Sequence, residues 1–146
     1  MMREDLDRQL CEKYPKIFAD RNLPMTETCM CWGFGHGDGW YNIIDNLCNL
    51  IQSHIDFKEK QGNIIPQVVA EQVKEKFGTL RFYYRGGDGY IDGIVDMAEA
   101  MSGVTCETCG KPGQRYSGGW IRTLCDEHEA ERQSKMKARY GNEQNI

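Results

Sequence analysis

Near the C-terminal end, Thr105-Cys106-Glu107-Thr108-Cys109-Gly110-Lys111-Pro112-Gly113 is followed by Leu124-Cys125-Asp126-Glu127-His128. The pattern is Cys-x2-Cys, fifteen intervening residues, then Cys-x2-His. Thiols at this spacing, followed by a glycine that permits a tight turn, converge on one point, and a second pair can meet them there. Zn²⁺ takes four nitrogen or sulfur ligands at tetrahedral corners, so the spacing predicts Cys106, Cys109, Cys125 and His128 as its ligands. With every corner filled by protein, no position remains for water, and the expected role of the Zn²⁺ is structural. A segment organised in this way draws folding energy from its metal.

Between the pairs, Gln114-Arg115-Tyr116 and Trp120-Ile121-Arg122-Thr123 flank Ser117-Gly118-Gly119, a hairpin-turn signal. Glu127 to Arg139 is helix-forming, acidic early and basic late, as the helix dipole favours. Cys125 and His128 then share one face at its first turn. Knuckle, hairpin and ligand-bearing helix together resemble the treble-clef class of zinc finger over residues 104–139. Some treble clefs carry nuclease sites, which need a histidine base and further metal ligands. The other histidines, His36 and His54, lie far upstream, and residues 110–124 supply no base.

The chain holds seven cysteines in 146 residues. Its start, Met1 to Arg8, is charged and lacks the apolar stretch of a signal peptide, so reduced thiols or metal ligands are expected rather than disulfides. No apolar run approaches the ~18 residues of a membrane span, and a cytoplasmic protein with no membrane partner is expected. The formal charge of −4 argues against a protein held to nucleic acid by bulk charge.

Upstream of the finger, Leu6, Leu10 and Tyr14 form a helical stripe stopped by Pro15. Cys29 to Trp40 is rich in glycine and aromatics and reads as a tight loop or irregular strand whose Trp32, Phe34, Trp40 and Tyr41 plug into the core. Ile43, Ile44, Leu47, Cys48, Leu50, Ile51 and Ile55 mark a long amphipathic helix, with Asp38 or Asn42 as candidate caps. Residues 67–85 read as a β-hairpin broken at Phe77-Gly78-Thr79, with a helix over 67–76 plus one strand as the competing reading. Ile91, Ile94, Val95, Ala98 and Met101 mark a second helix. Gly37-Asp38-Gly39-Trp40 and Gly87-Asp88-Gly89-Tyr90 echo each other, and shared helix-entry chemistry accounts for both. The expected architecture is α+β: mixed helices with a central β-hairpin, as a body over 1–103, and a C-terminal treble-clef-like zinc finger over 104–146.

Other groups carry weaker signals. Cys29, Cys31 and His36 could begin a second metal site, but Cys-x-Cys is a poor tetrahedral clamp and no fourth ligand is evident. The same residues as a Cys–His catalytic pair lack an orienting group and an oxyanion hole. The glycines at 33–39 match neither phosphate-binding fingerprint. Arg81, Tyr83, Arg85, Arg115, Tyr116, Trp120 and Arg122 are the candidate partner-binding residues. Aromatics and arginines dominate protein hot spots and also grip nucleic acid. Net acidity ranks a protein partner first.

The words Gly37-Asp38-Gly39-Trp40-Tyr41, Val73-Lys74-Glu75-Lys76-Phe77-Gly78-Thr79-Leu80-Arg81-Phe82-Tyr83, Cys106 to Gly113 and Trp120 to His128 resemble a group of small proteins encoded by bacteriophages and prophages. The resemblance implies a phage accessory protein, made in bacterial cytoplasm, that binds and inhibits a host protein such as a defence component. It implies no catalytic residue. The expected function is therefore non-enzymatic interaction, with a nucleic-acid-binding finger as one alternative and an enzyme built around Cys29–Trp40 as another.

Overall fold

The computed structural model describes residues 1–141. Its elements run α1 (Glu4–Lys13), β1 (Phe34–Gly35), α2 (Tyr41–Lys60), β2 (Val69–Lys76), β3 (Thr79–Arg85), α3 (Gly89–Ser102), β4 (Gln114–Tyr116), β5 (Arg122–Leu124) and α4 (Asp126–Gly141). The architecture is α+β, and the expected finger span runs past the described residues at 142–146.

The hairpin reading of 67–85 holds. β2 and β3 pair antiparallel from Val69↔Arg85 to Lys76↔Thr79, so only Phe77 and Gly78 make the turn. Both have positive φ, 54° and 83°, the geometry whose twist suits a two-residue hairpin loop. β1 adds a short parallel partner to β2, through Phe34↔Val73 and Gly35↔Lys74. The free edge of β3 is occupied by α3: Leu80 N–H donates to Ser102 Oγ (2.8 Å) and Phe82 N–H to Glu99 Oε2 (3.4 Å). That edge therefore offers no open row of amides to an incoming strand.

The apolar stripe of α2, Ile44, Leu47, Cys48, Ile51 and Ile55, is buried. It faces the α3 stripe Ile91, Val95 and Ala98, and the sheet residues Val73, Leu80 and Phe82 join the same core. Leu10, Ile17 and Phe18 complete that core from the N-terminal segment.

Two expectations need correction. Phe34 and Trp40 are fully buried, but Trp32 is 63% exposed, because the single turn at Met30–Trp32 points Met30 inward instead. Neither Asp38 nor Asn42 caps α2, which starts without a side-chain cap bond. Asp38 instead accepts from the Arg3 amide (2.8 Å). The echo with Gly87-Asp88-Gly89 is thus half chemical: Asp88 does cap α3, accepting from the Ile91 amide (3.1 Å).

Candidate metal centre

The segment after α3 turns back on itself. Thr105 bridges Pro112, Cys106 N–H donates to the Lys111 carbonyl (2.8 Å), and Gly110 N–H donates to the Cys106 carbonyl (2.9 Å). This knuckle presents Cys106 and Cys109. The β4–β5 hairpin then carries the chain to Cys125, whose carbonyl accepts from the Glu129 amide (2.9 Å) as α4 begins. His128 follows in the first turn of that helix.

The four ligand atoms lie within 4.8 Å of one another. Cys106 Sγ stands 3.6 Å from His128 Nδ1, Cys125 Sγ 3.2 Å from the same nitrogen, and Cys109 Sγ 3.8 Å from Cys125 Sγ. Donors at 2.0–2.3 Å from a central ion stand about 3.3–3.8 Å apart at tetrahedral corners, so these spacings fit a metal-binding site. The cysteines are free thiols. Burial works against a Cys106 thiolate, but amides of Cys125, Cys109 and Thr108 aimed at its sulfur prevail and lower it to about 6. Burial and the adjoining thiols push Cys109 upward. A bound cation reverses that preference by stabilising the thiolate.

Apart from the ligands, the finger's buried apolar cluster holds Leu124, with Tyr116 packed at its edge. So small a core contributes little against the chain entropy of the segment, and a metal held by the four ligands would add folding energy there.

The knuckle is also seated on the body. Gly39 N–H donates to the Glu107 carbonyl (2.7 Å), Trp40 Nε1 to the Thr105 carbonyl (2.9 Å) and Gly37 N–H to Glu107 Oε2 (2.9 Å). On the other side, Thr123 Oγ1 donates to the Gly78 carbonyl (2.5 Å) and Arg115 Nη2 to the Phe77 carbonyl (2.6 Å). The Gly-Asp-Gly-Trp word therefore serves close packing against the metal knuckle. Glu107, inside the ligand spacer, escaped the sequence reading because its partner loop lies 70 residues away.

The candidate partner residues divide between β3 and the finger's β4–β5 hairpin. Arg81, Tyr83 and Arg85 lie on β3, where Lys74 faces Arg81 across the ladder and sits over the Tyr83 ring. Arg85 is held by buried Asp20 (2.7 and 3.1 Å). On the finger, Tyr116 donates to Asp126 (3.2 Å), Arg122 stands 3.7 Å from Glu107, and Trp120 is 75% exposed. Cys29, Cys31 and His36 do not gather. Cys29 is exposed, Cys31 donates to the Thr28 carbonyl (3.3 Å), and His36 is buried beside Phe34 and Trp40. Among the described residues, the Cys106–Cys109–Cys125–His128 group is the one cluster of three or more such ligands. No helix of the described residues is long and apolar enough to cross a membrane. Compared with known protein families, with curated proteins and with solved structures, the chain has no match.

Proposed function

We propose that this chain is a zinc-stabilised interaction protein, with a treble-clef-like finger, that acts by binding and not by turnover. The observation that carries the reading is the ligand set itself. Three thiols and an imidazole within 4.8 Å fill a tetrahedron and leave no corner for an activated water. Soft thiolates with one imidazole suit zinc among the common divalent ions. The metal then fixes a rigid platform. From it Trp120 projects into solvent, and Arg81 and Tyr83 line the outer face of β3. Residues of these types dominate protein interfaces.

The partner that the resemblance suggests is a bacterial host protein, a defence component included, met by a phage product in the cytoplasm. The test has two readouts on purified chain: bound zinc and complex formation at stoichiometric amounts with a host protein. Cys109→Ala is expected to lose zinc, lower Tm by about 10 °C or more and abolish the complex. Unchanged zinc content and Tm in Cys109→Ala would contradict the reading.

A further inference from the structure

The outward sides of α2 and α3 are apolar where a solvated surface is ordinarily charged. On α2, Ile43, Leu50 and Phe57 recur every seventh residue, with Asn46 and Ser53 in the gaps between them. On α3, Tyr90 and Met97 stand seven apart, and so do Ile94 and Met101. None of these residues belongs to the buried stripes of the two helices. Leu50 is 47% exposed, Phe57 58% and Met97 63%. A seven-residue apolar period marks a seam at which one helix packs on another.

The two helices run antiparallel. His54 stacks on Tyr90 (4.2 Å) at one end, and Ile43 shares a groove of about 280 Å³ with Met101 at the other. None of the nine residues lining that groove is charged, although 27% of the chain is. The neighbouring acids are engaged elsewhere. Asp45 is taken by Lys13 (3.2 Å) and the Tyr14 hydroxyl (2.6 Å), Asp92 by the Tyr84 hydroxyl, and Glu99 by the Phe82 amide (3.4 Å). Depletion of charge is what separates the core of an interface from ordinary surface.

A second copy of this chain fits the face on three counts. The seam requires helices with the same spacing, and the chain supplies two. The polar members, Asn42, Asn46 and Asn49, carry amides that both donate and accept, so each can pair with its own kind across a two-fold axis. A carboxylate or ammonium in their place would repel its copy. The net charge of −4 opposes self-association, and a neutral face is where that repulsion is least. Extent sets the strength. The 14 residues of α3 span about 21 Å, and two helices abreast are about 20 Å wide. Such a face lies at the small end of stable interfaces, which places the affinity in the micromolar range.

We propose that α2 and α3 form the two-fold interface of a homodimer, a four-helix bundle in which the exposed stripe of each copy fills the groove of the other. The interface uses no metal ligand, so this assignment and the zinc-platform reading can fail separately.

Sedimentation equilibrium of the zinc-loaded full chain, from about 1 µM to about 200 µM, reads the assembly. The apparent mass is expected to rise with concentration from 16.8 kDa toward twice that value. Leu50→Glu and Met97→Glu, made singly, each raise the dissociation constant about tenfold or more, since every introduced carboxylate occurs twice in the dimer. Met25→Glu, at a residue 66% exposed beside Tyr83 and away from the two helices, leaves it unchanged. Zinc content and melting curves of the dilute proteins keep a lost interface distinct from a lost fold. A chain that stays monomeric throughout the range overturns the proposal, including one whose α2–α3 face takes up a helix of another protein instead. A dimer that neither Leu50→Glu nor Met97→Glu weakens overturns it as well.

Discussion

Gly39 lies where a side chain has no room: a Cβ there would overlap the Cys106 carbonyl and stand 2.6 Å from the Gly110 amide nitrogen. Backbone on both sides cannot yield, so Gly39→Ala is expected to cost about 2 kcal/mol or more, read as a fall in Tm. Gly93→Ala, on the open side of α3, meets nothing within 4 Å and should raise stability by about 0.5–1 kcal/mol. Equal effects of the two changes would refute the account of the Gly-Asp-Gly word. His36 adds a pH dependence. Burial lowers it from 6.5 to about 4, against the pull of the Gly37 carbonyl. A histidine depressed in this way binds fewer protons folded than unfolded. Its contribution is whole above the unfolded value and is lost as pH falls from about 6.5 toward 4, by roughly 3 kcal/mol in all. His36→Phe removes that part and leaves proton competition at the metal ligands. Urea unfolding of both proteins at pH 7 and pH 5 should therefore show a shallower pH loss in the variant; parallel losses would count against a buried neutral His36.

The hairpin β2–β3 was legible because Leu80, Phe82 and Tyr84 alternate with Arg81, Tyr83 and Arg85, and the turn was visible in Gly78. What alternation could not show is that Phe77 takes φ 54°, a region that costs a non-glycine residue about 1–2 kcal/mol. Its ring is 59% exposed, so little packing is lost on replacement. Phe77→Asn should stabilise the protein by about 0.5–1 kcal/mol in thermal unfolding, since asparagine tolerates that backbone better. A loss of stability would mean that the ring is held by contacts that outweigh the strain. The helices α2 and α3 were equally legible from their stripes. The start of α2 was not: Asp38 looked like a cap, yet the Arg3 amide, 35 residues away, takes its carboxylate. Local pattern carries periodicity and turn chemistry; it does not carry which distant amide wins a shared acceptor.

Across the molecule, the ligand set was readable because zinc chemistry imposes a spacing on the chain, and Cys106, Cys109, Cys125 and His128 do meet. The docking was not readable, since Gly37 and Glu107 meet only once the knuckle is seated on the Gly-Asp-Gly loop. The same docking binds the expected body and finger through main-chain hydrogen bonds at Gly39 and side-chain donors at Trp40 and Thr123. A metal bound by these four residues would therefore hold more than its own knuckle: it would order the carbonyls on which the body's loop is seated. Zinc-edge X-ray absorption on the purified chain tests this most directly. The account predicts three sulfur neighbours at about 2.3 Å and one nitrogen at about 2.0 Å, with no oxygen. A coordinated water oxygen, fewer sulfurs or the absence of bound zinc would contradict it.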